Sequence, residues 1–233
     1  MKATNSANLS KSTSILKAAH QEFLFPCVKP LYSEPIALVE ASGVKVIDAE
    51  GVEYLDFFAG ILATSIGHCH PAVVERVREQ VGRLGHTSTL YLTENQVNVA
   101  RKLAEITPDR LQTCFFTNSG TEAVETAVML AQLYTGRHEI IALRHAYSGR
   151  SALATNLTAQ ASWRPLASAI PGIKHALAPY PYRSPFEASD ELGEKFAQDI
   201  EEVIQTTTSG QPAALFAETI QGAGGYIVPP PGS

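Results

Sequence analysis

The chain has 233 residues and a net charge of -5, with 45% hydrophobic and 18% charged residues. This balance is that of a globular protein and excludes a disordered chain or a coiled coil. The acidic excess argues against nucleic acid as a partner, because neutralising phosphates requires clustered lysine and arginine. No apolar run approaches the ~20 residues that cross a bilayer, so we expect no membrane span.

The cysteines Cys27, Cys69 and Cys114 are odd in number and widely spaced. They provide no disulfide framework, which favours a reducing, intracellular compartment. The first residues lack the apolar core of a secretory signal, and no arginine occurs before Arg76, although transit peptides are rich in arginine. We therefore expect a cytoplasmic protein, with a mitochondrial location as the alternative.

The beginning of the chain is predicted to be an irregular arm followed by a β-hairpin. The arm covers residues 1–34 and includes a short helix around Ile15–Phe25. The hairpin pairs Val44–Asp48 with Tyr54–Phe58, because these two apolar segments flank a turn at Ala49-Glu50-Gly51.

Amphipathic helices are expected next. Pro71 occupies the first position of one of them, and the segment Thr93-Glu94-Asn95-Gln96 is a capping box that begins another. Cys114–Thr117 is predicted to be a short buried strand. It leads into a helix through Ala123–Tyr134, for which Gly136 is a natural C-terminal stop.

Strands and helices continue to alternate in the last part of the chain. Glu139–Leu143 and Ala213–Ile220 have the composition of buried strands, and Glu187–Gln205 has the periodicity of an amphipathic helix. Residues 145–186 are rich in proline, alanine and aromatic residues and are expected to be irregular. The alternation predicts an α/β fold with a mostly parallel sheet and flanking helices.

The junction at Asn118–Ala123 has the pattern of an anion site. A predicted strand ends there and a helix begins, with Ser119 as its cap and Glu122 able to return a hydrogen bond. The first amides of a helix have no internal partner and lie at its positive end, where phosphates bind. Gly120 permits close approach and Thr121 adds a hydroxyl, although the same residues would also make an ordinary capped helix.

Other side chains are predicted to reach the same edge of the sheet. Ligands of parallel sheets bind beyond the carboxyl ends of the strands, where Ser119–Thr121, Tyr147 and Glu218 would meet. A helix end, an aromatic face and a carboxylate together would suit a flat, phosphorylated cofactor. Taken singly, Tyr147 more often packs in a core and Glu218 more often forms a salt bridge.

Two further motifs are assigned no ligand. Gly67-His68-Cys69-His70-Pro71 contains metal-binding residue types but has no second ligand pair at a suitable spacing. No metal site is predicted, and His70 is expected to cap the helix that follows it. Gln221–Gly225 lacks the strand–glycine–helix order of a dinucleotide site and is expected to form a turn.

Five segments, in this order, resemble the class III aminotransferases, the pyridoxal-phosphate enzymes of fold type I. The similarity runs from about Val44 to Pro231. Within the family, the chain looks most like the alanine–glyoxylate and related ω-amino-acid aminotransferases. The segments are Gly51-x-x-Tyr54-x-Asp56-x-x-x-Gly60, Gly67-His68-x-His70-Pro71, Asn118-Ser119-Gly120-Thr121-Glu122-Ala123, His145-x-Tyr147-x-Gly149 and Glu218-x-Ile220-Gln221-Gly222-x-Gly224-Gly225.

The resemblance implies a role for each matching residue. Ser119, Gly120 and Thr121 match the turn that holds the phosphate of pyridoxal 5'-phosphate. Tyr147 matches the aromatic residue that stacks on the pyridine ring. Glu218 matches an acid near the ring and its hydroxyl side.

The resemblance also implies an organisation into domains and subunits. Residues 1–66 would be an N-terminal arm with the hairpin of a small domain, and residues 67–233 an incomplete large cofactor domain. His86–Thr89 matches a segment near the interface of a homodimer. Ser148 and Thr219 depart from the pattern, since many members have histidine and proline there.

The implied activity is the transfer of an amino group from an amino acid to a 2-oxo acid. In the family, an aspartate that pairs with the ring nitrogen and the Schiff-base lysine follow later in the chain. No lysine here stands in a matching motif, so we assign no catalytic residue and expect a truncated chain that is inactive alone. The alternatives are a non-catalytic binding or regulatory half that docks on a full-length relative, and another fold type I enzyme such as an aminomutase or a decarboxylase.

Overall fold

The computed structural model describes residues 12–27, 32–108, 110–164 and 170–232. The first part of the predicted arm, residues 1–11, lies outside the described residues. The chain forms two compact units, of which one ends at Val97 and the other begins at Asn98. The division predicted between residues 66 and 67 stays a prediction.

The first unit is built around an antiparallel sheet. Its elements are α1 (Thr13–Phe23), β1 (Leu38–Ser42), β2 (Lys45–Asp48), β3 (Glu53–Leu55), α2 (Ala59–Leu62), α3 (Pro71–Arg83) and the beginning of α4 (Glu94–Ile106). The predicted hairpin is confirmed, since β2 pairs with β3, and the helices predicted after Pro71 and Thr93 are confirmed as well. The sequence did not indicate β1, which pairs with β2 on its other side.

The buried side chain of Asp48 fixes the turn of the hairpin. Its carboxylate accepts hydrogen bonds from the amides of Glu50 (3.0 Å) and Val52 (2.8 Å) and from the hydroxyl of Tyr54 (2.8 Å). Burial by itself would raise the pKa of Asp48, but these hydrogen bonds outweigh it and lower the pKa from its ordinary value. The turn is therefore held by an ionised carboxylate.

The second unit is built around a parallel sheet in which β4 is the central strand. Its elements, after the end of α4, are α5 (Gly120–Thr135), β4 (Ile140–Leu143), α6 (Ala152–Leu157), β5 (Ile173–Ala176), α7 (Leu192–Thr207) and β6 (Ala214–Phe216). The strand order is β5-β4-β6, and both pairings are parallel. The predicted α/β fold with a parallel sheet and flanking helices is confirmed.

The core of the second unit explains why β4 is apolar throughout. Ile140 and Ala142 are buried on the face covered by α5 and α6. Ile141 and Leu143 are buried on the opposite face, against α7. Because successive side chains of a strand point to opposite faces, a strand covered on both sides needs a continuous apolar run.

Several predicted boundaries were wrong. Cys114–Thr117 is not a strand: it has no ladder partner in the described part of the chain, and Phe115 is 75% exposed. An apolar run forms a strand only when a neighbouring strand offers hydrogen bonds. The strand predicted at Ala213–Ile220 is limited to Ala214–Phe216, and the helix predicted from Glu187 begins at Leu192.

The prediction that residues 145–186 are irregular was also wrong, because the segment contains α6 and β5. Helix α6 is only 6 residues long, too short to show a clear helical period. Strand β5 reads Ile-Lys-His-Ala and lies at the edge of the sheet, so its composition is not that of a buried strand. Among the described residues, no helix has both the length and the apolar composition needed to cross a bilayer.

Candidate functional site

The turn that begins α5 is capped from both sides. Ser119 has an extended backbone, and its Oγ accepts a hydrogen bond from the amide of Glu122 at 3.1 Å. Glu122 Oε2 in turn accepts a hydrogen bond from the amide of Asn118 at 2.7 Å. The return bond from Glu122 therefore goes to Asn118, one residue before the cap, and not to Ser119. These reciprocal bonds hold the turn in one conformation.

The capped turn leaves two amides available. Within the described part of the chain, the amides of Gly120 and Thr121 donate to no protein acceptor. Gly120 is exposed and Thr121 is half-buried, so both amides are near the surface. They lie at the positive end of a helix of 16 residues. An anion such as a phosphate monoester could accept hydrogen bonds from both.

Thr121 connects this helix end to the segment that follows β4. The amide of Arg150 donates a hydrogen bond to Thr121 Oγ1 at 3.4 Å. Gly149 has a φ of 126°, and a Cβ at this position would collide with Thr121 Oγ1. The close contact therefore requires glycine at position 149.

Tyr147 is connected in turn to the segment that follows β6. Glu218 Oε1 accepts a hydrogen bond from the amide of Tyr147 at 3.1 Å, and Glu218 Oε2 accepts one from the amide of Gly222 at 3.0 Å. The ring of Tyr147 makes an edge contact with Trp163, with 5.3 Å between ring centroids. Both Tyr147 and Glu218 are half-buried.

The structure thus brings together the three segments that contain the predicted site residues. Strands β4 and β6 are parallel neighbours, so their carboxyl ends meet at one edge and bring Tyr147 and Glu218 together. The bond between Arg150 and Thr121 attaches the open end of α5 to the same group. The sequence did not indicate Arg150 or Trp163 as site residues. The one available signal was that Trp163 is the only tryptophan in the sequence.

Gln221 lies buried beside this group. Its side chain is 2% exposed, and Nε2 donates a hydrogen bond to the carbonyl of Arg144 at 2.9 Å. The turn predicted at Gln221–Gly225 is confirmed, because the backbones of Gln221 and Ile227 bond to each other on either side of it. The bond from Gln221 ties this turn to the residue that follows β4.

The histidine motif of the first unit is joined to Asp56 by a side-chain hydrogen bond. His68 Nε2 lies 2.6 Å from Asp56 Oδ2, and this hydrogen bond, with two backbone amides, lowers the pKa of Asp56. His70 stands at the cap position of α3, but its side chain makes no capping bond there, contrary to expectation. In the ranges that the structure describes, no three His, Cys, Asp or Glu side chains are grouped as metal ligands would be.

Four of the five lysines among the described residues bond to side chains away from Tyr147 and Glu218. Lys174 lies on β5, and no lysine among the described residues forms a hydrogen bond with Tyr147 or Glu218. The remaining contacts are Lys17 with Glu34, Lys45 with Glu53, Lys102 with Glu105, and Lys195 with Ser189.

Comparisons with known proteins identify the family of the chain. The family model for aminotransferase class-III matches residues 29–233. Alanine–glyoxylate aminotransferase 2 homolog 2, mitochondrial, of Arabidopsis thaliana is 42% identical over 221 residues, covering 95% of this chain and 46% of that protein. Acetylornithine aminotransferase of Methanopyrus kandleri is 39% identical over 198 residues, covering 85% of this chain and 46% of that protein.

A solved structure shows the same fold. An (S)-enantioselective omega-transaminase from Thermomicrobium roseum superimposes with a TM-score of 0.84 at 34% identity, covering 96% of this chain and 53% of that one. The parallel sheet flanked by helices is thus part of the α/β architecture of a fold type I transaminase. The chain belongs to the class III aminotransferase family, whose cofactor is pyridoxal 5'-phosphate. It spans about half the length of the curated relatives that it matches.

Proposed function

We propose that this chain binds the phosphate of pyridoxal 5'-phosphate at Ser119, Gly120 and Thr121, with Tyr147 against the ring of the cofactor. The amides of Gly120 and Thr121, which have no acceptor in the described part of the chain, are the observation that carries this proposal. The residues fit the group, because a phosphate needs several donors and a positive helix end offers them. The bond from Arg150 to Thr121 keeps the Tyr147 segment beside that helix end.

Glu218 acts in this proposal as a positioning residue. Both of its carboxylate oxygens accept hydrogen bonds from backbone amides, those of Tyr147 and Gly222. Its negative charge lies beside the carboxyl edge of the sheet, and its first effect is to fix the backbone of Tyr147. An aromatic ring held in this way can support a flat cofactor without losing conformational entropy when the cofactor binds.

We further propose that, in a protein as long as the relatives, the site serves the transfer of an amino group from an amino acid to a 2-oxo acid. The bound cofactor would supply an electron sink for the bonds of the substrate, while the protein orients the cofactor and the substrate. No lysine among the described residues forms a hydrogen bond with Tyr147 or Glu218, so the residues at this site would hold the cofactor without a covalent bond. Alanine and glyoxylate are the first substrates to assay, since the Arabidopsis thaliana relative is named for them.

A homodimer is part of this proposal. After the segment His86–Thr89, the side chains of Leu90 and Leu92 are 86% and 96% exposed, and Tyr91 is exposed as well. Adjacent apolar side chains with this exposure are typical of a surface that another subunit covers. We propose a cytoplasmic location, with the mitochondrion as the alternative because three relatives carry the word mitochondrial in their names.

Equilibrium dialysis of the 233-residue chain with pyridoxal 5'-phosphate and with pyridoxal tests the binding proposal. Pyridoxal lacks the phosphate, so we expect it to bind at least about tenfold more weakly, equivalent to about 1.4 kcal/mol. Equal affinity for both compounds would contradict phosphate binding at Ser119–Thr121. With alanine and glyoxylate added, we expect no formation of glycine by this chain alone, and sustained glycine formation would contradict non-covalent binding without turnover.

A further inference from the structure

A cavity lies beyond the carboxyl ends of β4 and β5. Its volume is about 410 Å³, which is within the range of small-molecule sites, and the residues that line it include Arg144, His145, Gln160, Tyr180 and Arg183. Ser119, Thr121, Tyr147 and Glu218 do not line it. The cavity is therefore separate from the proposed phosphate site, although both belong to the same unit.

The side chains that line this cavity are basic or neutral. Arg144 and Arg183 supply two guanidinium groups and His145 supplies an imidazole, while no aspartate or glutamate lines the cavity. In the ranges that the structure describes, neither arginine has a carboxylate within ion-pair distance. This concentration of positive charge occurs in a chain whose net charge is -5. Guanidinium groups bind carboxylates and phosphates in paired hydrogen bonds, so the lining favours an oxyanion.

The backbone on one side of the cavity is held by hydrogen bonds. The amide of Arg144 donates to the carbonyl of Ala176 at 2.9 Å, and the buried Gln221 donates to the carbonyl of Arg144 at 2.9 Å. Both bonds fix the residue that carries the first guanidinium group. Strand β5 is the parallel neighbour of β4, and residues that follow it, Leu177, Tyr180 and Arg183 among them, also line the cavity.

The neutral side of the cavity is held in a similar way. Gln160 Nε2 donates to the carbonyl of Ala223 at 3.1 Å and approaches the carbonyl of His145 at 3.4 Å. His145 itself has a φ of 64°, a left-handed conformation that is costly for a residue other than glycine. The backbone of Arg144 and the amide of Gln160 are thus held in place before any ligand arrives, which reduces the entropy cost of binding. Arg144 and Arg183 are exposed at the surface, so an anion can enter from solvent.

The geometry points to a binding site for a small dianion, a phosphate monoester or a dicarboxylate, between Arg144 and Arg183. A dianion satisfies two guanidinium groups at once, whereas a monoanion leaves one of them unpaired. The site adds a second ligand to the one proposed at Ser119–Thr121, and its occupation does not require the cofactor. The phosphate monoester and the dicarboxylate share one chemical feature, a pair of negatively charged oxygens.

Isothermal titration of the 233-residue chain with inorganic phosphate and with succinate, at constant ionic strength, tests this inference. We expect saturable binding of at least one of the two dianions with a Kd below about 10 mM, and the tighter one identifies the source. The double variant Arg144→Gln/Arg183→Gln should weaken that binding at least about tenfold. Arg144→Lys/Arg183→Lys, which keeps the charge and loses the paired geometry, should weaken it less.

The control variant Arg78→Gln/Arg101→Gln removes the same charge from α3 and α4, outside the cavity. It should bind the dianion like the parent chain. An equal loss of affinity in both Gln double variants would show that net charge alone causes the effect, and would overturn the inference. Unchanged affinity in Arg144→Gln/Arg183→Gln would overturn it too, as would the absence of saturable binding by either dianion. Ser119→Ala should weaken binding of pyridoxal 5'-phosphate at the other site and leave the affinity for succinate as it is, so failure of one site is distinguishable from failure of the other.

Discussion

Glu218 accepts a hydrogen bond from the amide of Tyr147 at 3.1 Å, although 71 residues separate them in the chain. The second oxygen of the same carboxylate accepts the amide of Gly222. One side chain thus connects the segment after β4 with the turn after β6. The half-buried carboxylate satisfies two amides that the sheet itself leaves unpaired beyond the ends of its strands.

The variant Glu218→Gln should loosen this connection. A glutamine keeps one acceptor oxygen but turns its NH2 group, a donor, towards the second amide, so one backbone amide loses its partner. We expect a loss of about 1–3 kcal/mol in the free energy of unfolding, measured with urea, and weaker binding of pyridoxal 5'-phosphate. The exposed Glu202 on α7 offers the matched control, Glu202→Gln, which should behave like the parent chain. Equal stability of the two variants would show that the bridging bonds contribute nothing.

Ser119→Ala should remove the cap of α5. The loss of a serine cap costs about 0.5–2 kcal/mol of stability, and the Ser119 hydroxyl would also be lost to the phosphate. The control is Ser12→Ala, which removes the equivalent cap of α1 in the other unit. Dialysis should show weaker binding of pyridoxal 5'-phosphate in Ser119→Ala alone. A similar loss of binding in Ser12→Ala would mean that general destabilisation, and not the site, is responsible.

Gly149→Ala should separate the end of α5 from the Tyr147 segment. The added Cβ meets Thr121 at a backbone φ of 126°, which is strained for alanine, and we expect a loss of at least about 1–3 kcal/mol in unfolding experiments. The control is Gly120→Ala, since a Cβ at Gly120 meets nothing within 4 Å. Its stability should stay within about 0.5 kcal/mol of the parent. If Gly149→Ala is as stable as Gly120→Ala, the contact with Thr121 is not close in solution.

His175 on β5 should make the stability of the second unit depend on pH. Burial lowers the pKa of His175 from its ordinary 6.5, and the nearby positive charges of Arg164 and Arg144 lower it further, although Nε2 bonds with the carbonyl of Leu157 at 3.2 Å. The folded chain therefore resists a proton that the unfolded chain accepts. Stability should be complete above about pH 6.5 and should fall as the pH decreases towards 5.

Urea midpoints at about pH 7.5 and about pH 5.5 measure this dependence. In His175→Gln, whose amide can still donate to Leu157, the difference between the two midpoints should be smaller than in the parent chain. His70→Gln, at an exposed histidine of the other unit, should leave the difference in the second unit as it is. An unchanged difference in His175→Gln would assign the pH dependence to other groups.

The elements that could be predicted were those whose cause is local. The cap at Ser119 and the stop at Gly136 define α5 by their own side chains and backbone, and the run Ile140–Leu143 defines β4 because both of its faces are covered. Strand β5 was missed because it is held by pairing with β4, while its own sequence contains Lys174 and His175. The strand prediction for Cys114–Thr117 was wrong for the opposite reason, because an apolar run cannot form a sheet without a partner strand.

The candidate site, too, could be predicted only where its cause is local. The open amides after Ser119 follow from spacing alone, and the resemblance to a family supplied the roles of Tyr147 and Glu218. The meeting of Tyr147 and Glu218 at one edge of the sheet was predicted, but the hydrogen bond between them was not, because it depends on the register of β4 with β6. Nor could the close approach of Gly149 to Thr121 be predicted, because it arises only when two segments distant in the sequence come together.

The long separation between Tyr147 and Glu218 also has a consequence for biosynthesis. A ribosome adds about 5–20 residues per second, so Glu218 leaves it roughly 4–14 s after Tyr147. During that interval helix α5 can already form from local contacts, while the Tyr147 segment still lacks its acceptor. The nascent chain would thus expose an anion-attracting helix end before the neighbouring aromatic residue is held in position.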